Sequence, residues 1–227
     1  MMGHLIDGEV EMIQKYIPEN AVVFDVGAFD GDWSAVVLQY HPNAHIHAFE
    51  PIPFLFDKLK QNMDEVIKKG LVRPNNFALS NHKGLSEFWV YEDYPAMSTL
   101  HRRDDAEMAS VHVRPPISTK VSTTTLDAYC LDRGIRWIDF LKIDVEGNEW
   151  AVLDGARGLF ERDEIQCVQF EYGRCLLDSH TTLKMIFDLL LPFGFKIGKV
   201  NSTEVVFQDT FKDEFERYDY CNYIAVK

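Results

Sequence analysis

The stretch Ala21-Val22-Val23-Phe24-Asp25-Val26-Gly27-Ala28-Phe29-Asp30-Gly31-Asp32-Trp33-Ser34 decides the fold. An apolar run of strand length breaks at Gly27, a second glycine follows four positions later, and a helical pattern runs over about 33–40. Buried strand, tight glycine turn and helix entry form the opening unit of a doubly wound α/β sheet, in which ligands sit beyond the carboxyl ends of the strands. The two glycines allow a sharp turn and a close approach of backbone to ligand. The dinucleotide pattern G-x-G-x-x-G is not met, because Phe29 occupies the second glycine position, and no G-K-[ST] follows the turn.

Charge narrows the ligand. Asp25, Asp30 and Asp32 crowd the turn, with no Lys or Arg close to them in sequence. That is poor company for a pyrophosphate and good company for a cation. S-adenosylmethionine, with an ammonium and a sulfonium beside one carboxylate, meets the description, and its carboxylate can use the N–H groups at the helix N-terminus. The second apolar run, 44–49, ends in Glu50-Pro51, 25 positions after Asp25. An acid there can accept both ribose hydroxyls. The expected cofactor residues are Asp25, Gly27, Ala28, Phe29, Gly31, Ser34, Glu50 and Pro51, joined by Ala78 and Asp144 from later strand ends.

Outward from this unit, strands and helices alternate. Pro53 opens a helix with Leu55, Leu59 and Val66 inward; 76–80 reads as a strand end, 81–84 as a turn and 85–91 as an antiparallel strand. Between about 92 and 120 the periodicity fades around Pro95, Pro115 and Pro116, which predicts a long irregular loop or lid on the acceptor side. The run 137–143 is a buried strand ending at Asp144, followed by a helix with Trp150, Leu153 and Phe160 on one face. Another strand, 165–170, ends at Glu171. Leu183, Ile186, Phe187 and Leu190 mark an amphipathic helix, and 195–200 with 220–226 close the fold as an antiparallel pair. With no linker or repeat, the reading is one domain over 1–227. It is built on a mostly parallel seven-stranded sheet with an antiparallel strand near one edge.

The chain has 227 residues and a net charge of −13, which argues against a nucleic-acid partner. No apolar run is long enough to cross a bilayer, and residues 1–7 lack the features of a secretory signal, so a cytoplasmic protein is expected. Cys130, Cys167, Cys175 and Cys221 form no C-x-x-C pair and read as buried free thiols, with no zinc site expected.

Four blocks, in order, resemble the FkbM-type methyltransferases. They are Phe24-Asp25-Val26-Gly27-Ala28, Phe49-Glu50-Pro51, Thr125-Leu126-Asp127, and Leu141-Lys142-Ile143-Asp144-Val145-Glu146-Gly147 with Glu149 and Val152-Leu153-Asp154-Gly155-Ala156 behind it. The resemblance implies a class I methyltransferase Rossmann-like fold. It also implies transfer of a methyl group from S-adenosylmethionine to a hydroxyl of a small molecule or glycan, of sugar, glycolipid or polyketide type. The family loop more often reads G-A-N-x-G, and Phe29 replaces that asparagine. Ser98-Thr99-Leu100 resembles a short family motif near the acceptor.

An alcohol is a weak nucleophile, so such a site needs a general base or a metal. Asp144, at the strand end beside the first strand, is the best-placed candidate, with Glu146, Glu171 and His180 following. Asp144 and Glu171 could hold a divalent ion such as Mg²⁺; alternatively Asp144 acts as base, or holds the hydroxyl, without metal. Blander readings stand beside these: Glu146 as a helix cap, Glu171 paired with Arg174 at the surface, His180 solvated. His101, Arg102, Arg103 and His112 could meet an anionic or sugar-rich acceptor, and Trp89, Tyr91, Tyr94 and Tyr172 could stack on a sugar or belong to the core. The competing classes are an NAD(P)-dependent oxidoreductase or epimerase, which predicts a true G-x-G-x-x-G, and a non-catalytic binding protein, which would lack Asp144 and Glu146.

Overall fold

Runs rich in β-branched and aromatic residues become strands in the computed structural model, which describes residues 8–201 and 205–227. Residues 1–7, read above for a signal segment, lie outside the described part. The strands are β1 (Val22–Val26), β2 (His45–Phe49), β3 (Val72–Asn75), β4 (Ala78–Leu79), β5 (Gly84–Val90), β6 (Ile117–Thr124), β7 (Phe140–Ile143), β8 (Cys167–Tyr172), β9 (Lys196–Val200), β10 (Val205–Gln208) and β11 (Cys221–Val226). Eight of them form one sheet in the order β10-β9-β11-β8-β7-β1-β2-β3. The five from β8 to β3 pair in parallel. β11 runs antiparallel to both β8 and β9, and β10 antiparallel to β9.

The sheet is mostly parallel with an antiparallel strand near one edge, as expected, and it has eight strands rather than seven. From β1 the chain moves to one side through β2 and β3 and then returns to the other side at β7. The topological switch point therefore lies between β1 and β7. Both faces of the sheet are covered. Phe24, Leu141 and Phe170 pack on one side, Val23, Ile46 and Phe140 on the other, and all are buried. Among the described residues no helix is long and apolar enough to cross a membrane.

Three elements differ from the sequence reading. β3 escaped notice because it is short and contains Pro74; proline lacks an N–H to donate, and β3 is the sheet's edge, where that is tolerated. The segment 92–120 is more ordered than expected. It holds a 3₁₀ turn (Pro95–Met97), a helix (Asp105–Ser110) and β6, which pairs with β5 and β4 in a second, three-stranded sheet. Most of β6 is exposed apart from Val121 and Thr123, so it carries little apolar alternation, only the Ile, Val and Thr content that favours strands. Finally, the helix after β7 is two short helices, Glu149–Asp154 and Arg157–Glu161.

The Thr125-Leu126-Asp127 block joins these pieces. Thr125 caps the helix Leu126–Arg133 by accepting the Ala128 N–H at 3.1 Å. Asp127 reaches across to the helix Arg157–Glu161 and accepts the N–H groups of Gly158 and Leu159, both at 2.8 Å. A carboxylate on two otherwise unpaired helix N–H groups is a strong cap. Asp127→Ala should destabilise the fold by about 1–3 kcal/mol, read as a thermal midpoint lower by about 2–4 °C per kcal/mol.

Candidate active site

The glycine turn is held from three sides. Gly27 and Ala28 both donate their N–H to the Phe49 carbonyl, at 3.1 and 2.9 Å, and Asp144 donates its N–H to the Val26 carbonyl at 3.0 Å. Gly27 lies at φ +81, and a Cβ there would sit 1.8 Å from the Asp144 carbonyl oxygen, so only glycine lets the two strand ends meet. Phe29, at φ +49, donates its N–H to Glu50 Oε2 at 3.1 Å. The helix Asp32–Tyr40 follows, its first N–H groups carrying no side-chain cap.

Over this switch point opens a cleft of about 430 Å³. Of the expected cofactor residues, Gly27, Ala28, Phe29, Glu50, Pro51 and Asp144 line it. Asp25 and Ser34 are fully buried below its floor, with the Ser34 hydroxyl donating to Asp25 Oδ2 at 2.7 Å. Gly31 is not on the wall; it packs against Met63 at the helix entry. Ala78 lines a separate small pocket with Val26, Phe49 and Phe77, outside the cleft.

The turn was read as having no cation nearby, and the fold supplies two. Lys58 Nζ meets Asp30 Oδ2 at 2.7 Å. Lys142, from the middle of β7, is buried with its Nζ 3.3 Å from Asp25 Oδ1 and 3.3 Å from Asp144 Oδ2, and it donates to the Gly27 carbonyl at 3.1 Å. Burial pushes the Asp25 carboxyl up, against the pull of Lys142 and Ser34. Burial works to lower Lys142 as well, but Asp144 and Asp25 outweigh it and hold the ammonium above its usual range. The signal for Lys142 was visible as a lone charge in the apolar run Phe140-Leu141-Lys142-Ile143.

Glu50 is 5% exposed, and its Oε1 accepts the Ile52 N–H at 2.8 Å while Oε2 takes Phe29. Burial pushes its carboxyl up to about 8 despite these donors. Each oxygen retains acceptor capacity for a hydroxyl.

The acidic candidates part company. Asp144 has a side chain 37% exposed and faces the cleft. Glu146 also lines the cleft, at φ +58, and forms an ion pair with Arg103. Burial raises its carboxyl to about 7, against the guanidinium. Glu146 is not the helix cap. The N-cap position belongs to Asn148, without a side-chain cap, and Glu149 Oε1 instead braces the preceding loop, accepting the N–H groups of Val145 at 3.0 Å and Gly147 at 3.1 Å. Glu171 lies within β8 rather than beyond its end, is 1% exposed, and so makes no surface pair. His180 is exposed on the turn after the helix Cys175–Asp178 and does not line the cleft.

The segment read as irregular is strapped to the loop after β7. Thr99 donates its hydroxyl to the Glu146 carbonyl at 2.7 Å, His101 Nε2 lies 3.2 Å from Asn148 Oδ1, and Arg103 holds the Glu146 carboxylate. Pro95, Ala96 and Ser98 thereby become one wall of the cleft. Arg103 is thus engaged within the protein, and Arg102 is paired with Asp105 over the Trp89 ring. Tyr91 and Tyr172 are buried, so neither is a stacking platform. Tyr220, which the sequence reading did not single out, is exposed and lines the cleft. The four cysteines are buried free thiols, as expected.

A doubly wound sheet of this order, with an acidic, glycine-turned cleft at its switch point and an acid ending the second strand, defines a Rossmann-like methyltransferase. The chain belongs to the methyltransferase FkbM domain family, whose model matches residues 25–197. It is 28% identical over 193 residues to the 2-O-methyltransferase NoeI of Sinorhizobium fredii, a match covering 81% of this chain and 75% of that protein. It is 31% identical over 155 residues to the 31-O-demethyl-FK506 methyltransferase FkbM of Streptomyces tacrolimicus, covering 59% of this chain and 58% of the relative. The fold is shared with the crystal structure of a methyltransferase FkbM from Methylobacillus flagellatus, at TM-score 0.52 and 15% identity over 95% of this chain and 50% of that one. The matched region is therefore a little over half to three-quarters of the curated relatives, and half of the solved chain.

Two outcomes test the site's electrostatics. Lys142→Met leaves Asp25 buried without its cation and should destabilise the protein by about 3–5 kcal/mol, with much of the loss recovered by adding Asp25→Asn. Glu50 binds its proton more tightly folded than unfolded, so its contribution to stability is present at acid pH and lost as pH rises toward about 8. The thermal midpoint of the cofactor-free protein should fall across that window, and less steeply in Glu50→Gln.

Proposed function

We propose that this methyltransferase carries the methyl group of S-adenosylmethionine to a hydroxyl oxygen of a small-molecule or glycan acceptor. The observation that carries the reading is the pairing of Glu50 and Asp144 across the glycine turn, one acid on each side of the switch point and both on the cleft. The cleft suits the cofactor: acids meet its ammonium and sulfonium, Glu50 its ribose hydroxyls, and the uncapped helix N-terminus its carboxylate. Bound there, S-adenosylmethionine supplies an electrophilic methyl group.

The chain's own residues do the rest. Pro95, Ala96 and Ser98 confine the acceptor from the side facing the cofactor turn and shed water from it. Asp144 would accept the proton of the acceptor hydroxyl as that oxygen takes the methyl group. Lys142 holds the Asp144 carboxylate at the cleft edge. Oxygen as the acceptor atom is supported by the relatives, whose names place their methyl groups on oxygen.

We favour the version without Mg²⁺. That ion prefers six oxygen ligands, whereas Asp144 is engaged by Lys142 and Glu171 is turned into the sheet beside a thiol. A cytoplasmic setting goes with the reading, since free thiols persist in a reducing compartment. Nothing in the site favours a nicotinamide enzyme. Tyr223 and Lys227 stand at Tyr-x-x-x-Lys spacing, but Tyr223 is buried in the core and Lys227 is paired with Asp163.

Calorimetry with S-adenosylmethionine, against NADH and ATP, is the direct test. Micromolar binding of S-adenosylmethionine alone is expected, weakened about 10- to 100-fold in Glu50→Ala as the hydrogen bonds to the ribose hydroxyls are lost. Binding of NADH instead would overturn the proposal. With methyl-labelled cofactor and a panel of glycosides, Asp144→Asn should keep cofactor affinity and lose about 10²- to 10⁴-fold in transfer.

A further inference from the structure

The turn after β7 and the turn after β8 touch backbone to backbone. Gly147 lies at φ +108, and a Cβ there would sit 2.5 Å from the Cys175 carbonyl oxygen, so only glycine permits the contact. The contact gathers Glu146, Glu171 and Cys175, and one carboxylate oxygen from each acid and the Cys175 Sγ all lie within 4.8 Å of one another. Glu171 is 1% exposed; the Cys175 thiol is 3.9 Å from its Oε2, and its Oε1 is buried with no hydrogen-bond partner. A buried carboxylate oxygen without a donor is expensive, and native proteins rarely leave one unexplained. The Oε2 of Glu149, in the same turn, is likewise buried without a partner.

We propose that Glu146, Glu171 and Cys175 form a site for one borderline-soft divalent cation of the Zn²⁺ type at the rim of the cleft. A thiolate with two carboxylates is a donor set for Zn²⁺ rather than for Mg²⁺ or Ca²⁺. Three protein ligands leave a fourth position open, as in zinc sites that bind water or substrate. Glu146 and Tyr220 line the cleft, and the Tyr220 side chain sits beside Glu171. Arg103 takes one oxygen of Glu146 and leaves the other for the ion, orienting the ligand. Charge then closes: three anionic ligands face the two charges of the ion and the one of Arg103. On binding, the Cys175 proton and any proton held by the two carboxyls leave to solvent, and the metal–ligand bonds replace them. The site escaped the sequence reading because its ligands come from three elements, the turn after β7, β8 and the helix Cys175–Asp178, and share no zinc-motif spacing.

The test is titration of Zn²⁺ and of Co²⁺ into chelator-treated protein, with thermal unfolding as the check that each variant is folded. One Zn²⁺ per chain with micromolar or tighter affinity and proton release is expected, together with a thiolate-to-cobalt charge-transfer band. Cys175→Ser should abolish the band and weaken Zn²⁺ about 100-fold, and Glu171→Gln should weaken it at least about 10-fold. Absence of Zn²⁺ binding, a Co²⁺ spectrum without the thiolate band, or affinity unchanged in both variants would overturn the proposal. S-adenosylmethionine titrated into the same metal-free protein reports separately on the cofactor reading.

Discussion

One buried ammonium ties the cleft together. Lys142 stands in the centre of the sheet, where burial alone would strip its charge, and it stays charged because Asp25 and Asp144 flank it. In return it balances the charge of a carboxylate that has no access to water and bonds the carbonyl of the residue at which the chain turns. Cofactor turn, floor and candidate base are thus three ends of one interaction. Removing the ammonium leaves Asp25 buried without its cation, which is far more costly than the pair was favourable. The same logic explains why the turn tolerates so many acids: their cations arrive from other strands and helices rather than from the turn itself.

The backbone reinforces what the charges begin. The direct meeting of Gly27 with Asp144, and of Gly147 with Cys175, locks the ends of β1, β7 and β8 into one layer below the cleft. Glu149 secures the loop between them, and the strap from Thr99 to Arg103 secures it from above. The acids that face the cleft are therefore held on short, cross-braced turns at the ends of strands. Catalytic geometry needs such bracing, because displacement of a methyl group tolerates little misalignment.

Four of the parallel strands, β1, β2, β7 and β8, were legible because both their faces are buried, so each reads as a mostly apolar run bounded by glycine or an acid. Glu50 and Asp144 were legible for the same reason, being the first charges after such runs. What stayed hidden depends on partners distant in sequence. Glu171 looked like a strand end because a charge usually stops a buried run, yet β8 continues through it to Tyr172 and buries the carboxylate beside Cys175. Ala78 and Ser34 were assigned by position along their elements, which does not tell which side of a turn a residue faces. β6 and β3 lack the burial that writes periodicity into sequence, one mostly exposed and the other an edge strand broken by proline.

The small sheet of β4, β5 and β6 enters the chain between β3 and β7, as an excursion from the main sheet. Its β5–β6 connection supplies Pro95, Ala96 and Ser98 to the cleft, while the opposite wall comes from the cofactor turn and the end of β2. The two walls of the cleft therefore come from separate tracts of the chain. Mutation can rewrite the excursion's tip without disturbing the charge network under Gly27, provided the fastening to Glu146 survives. Such an arrangement leaves one wall of the cleft free to vary in sequence while the other keeps its bracing.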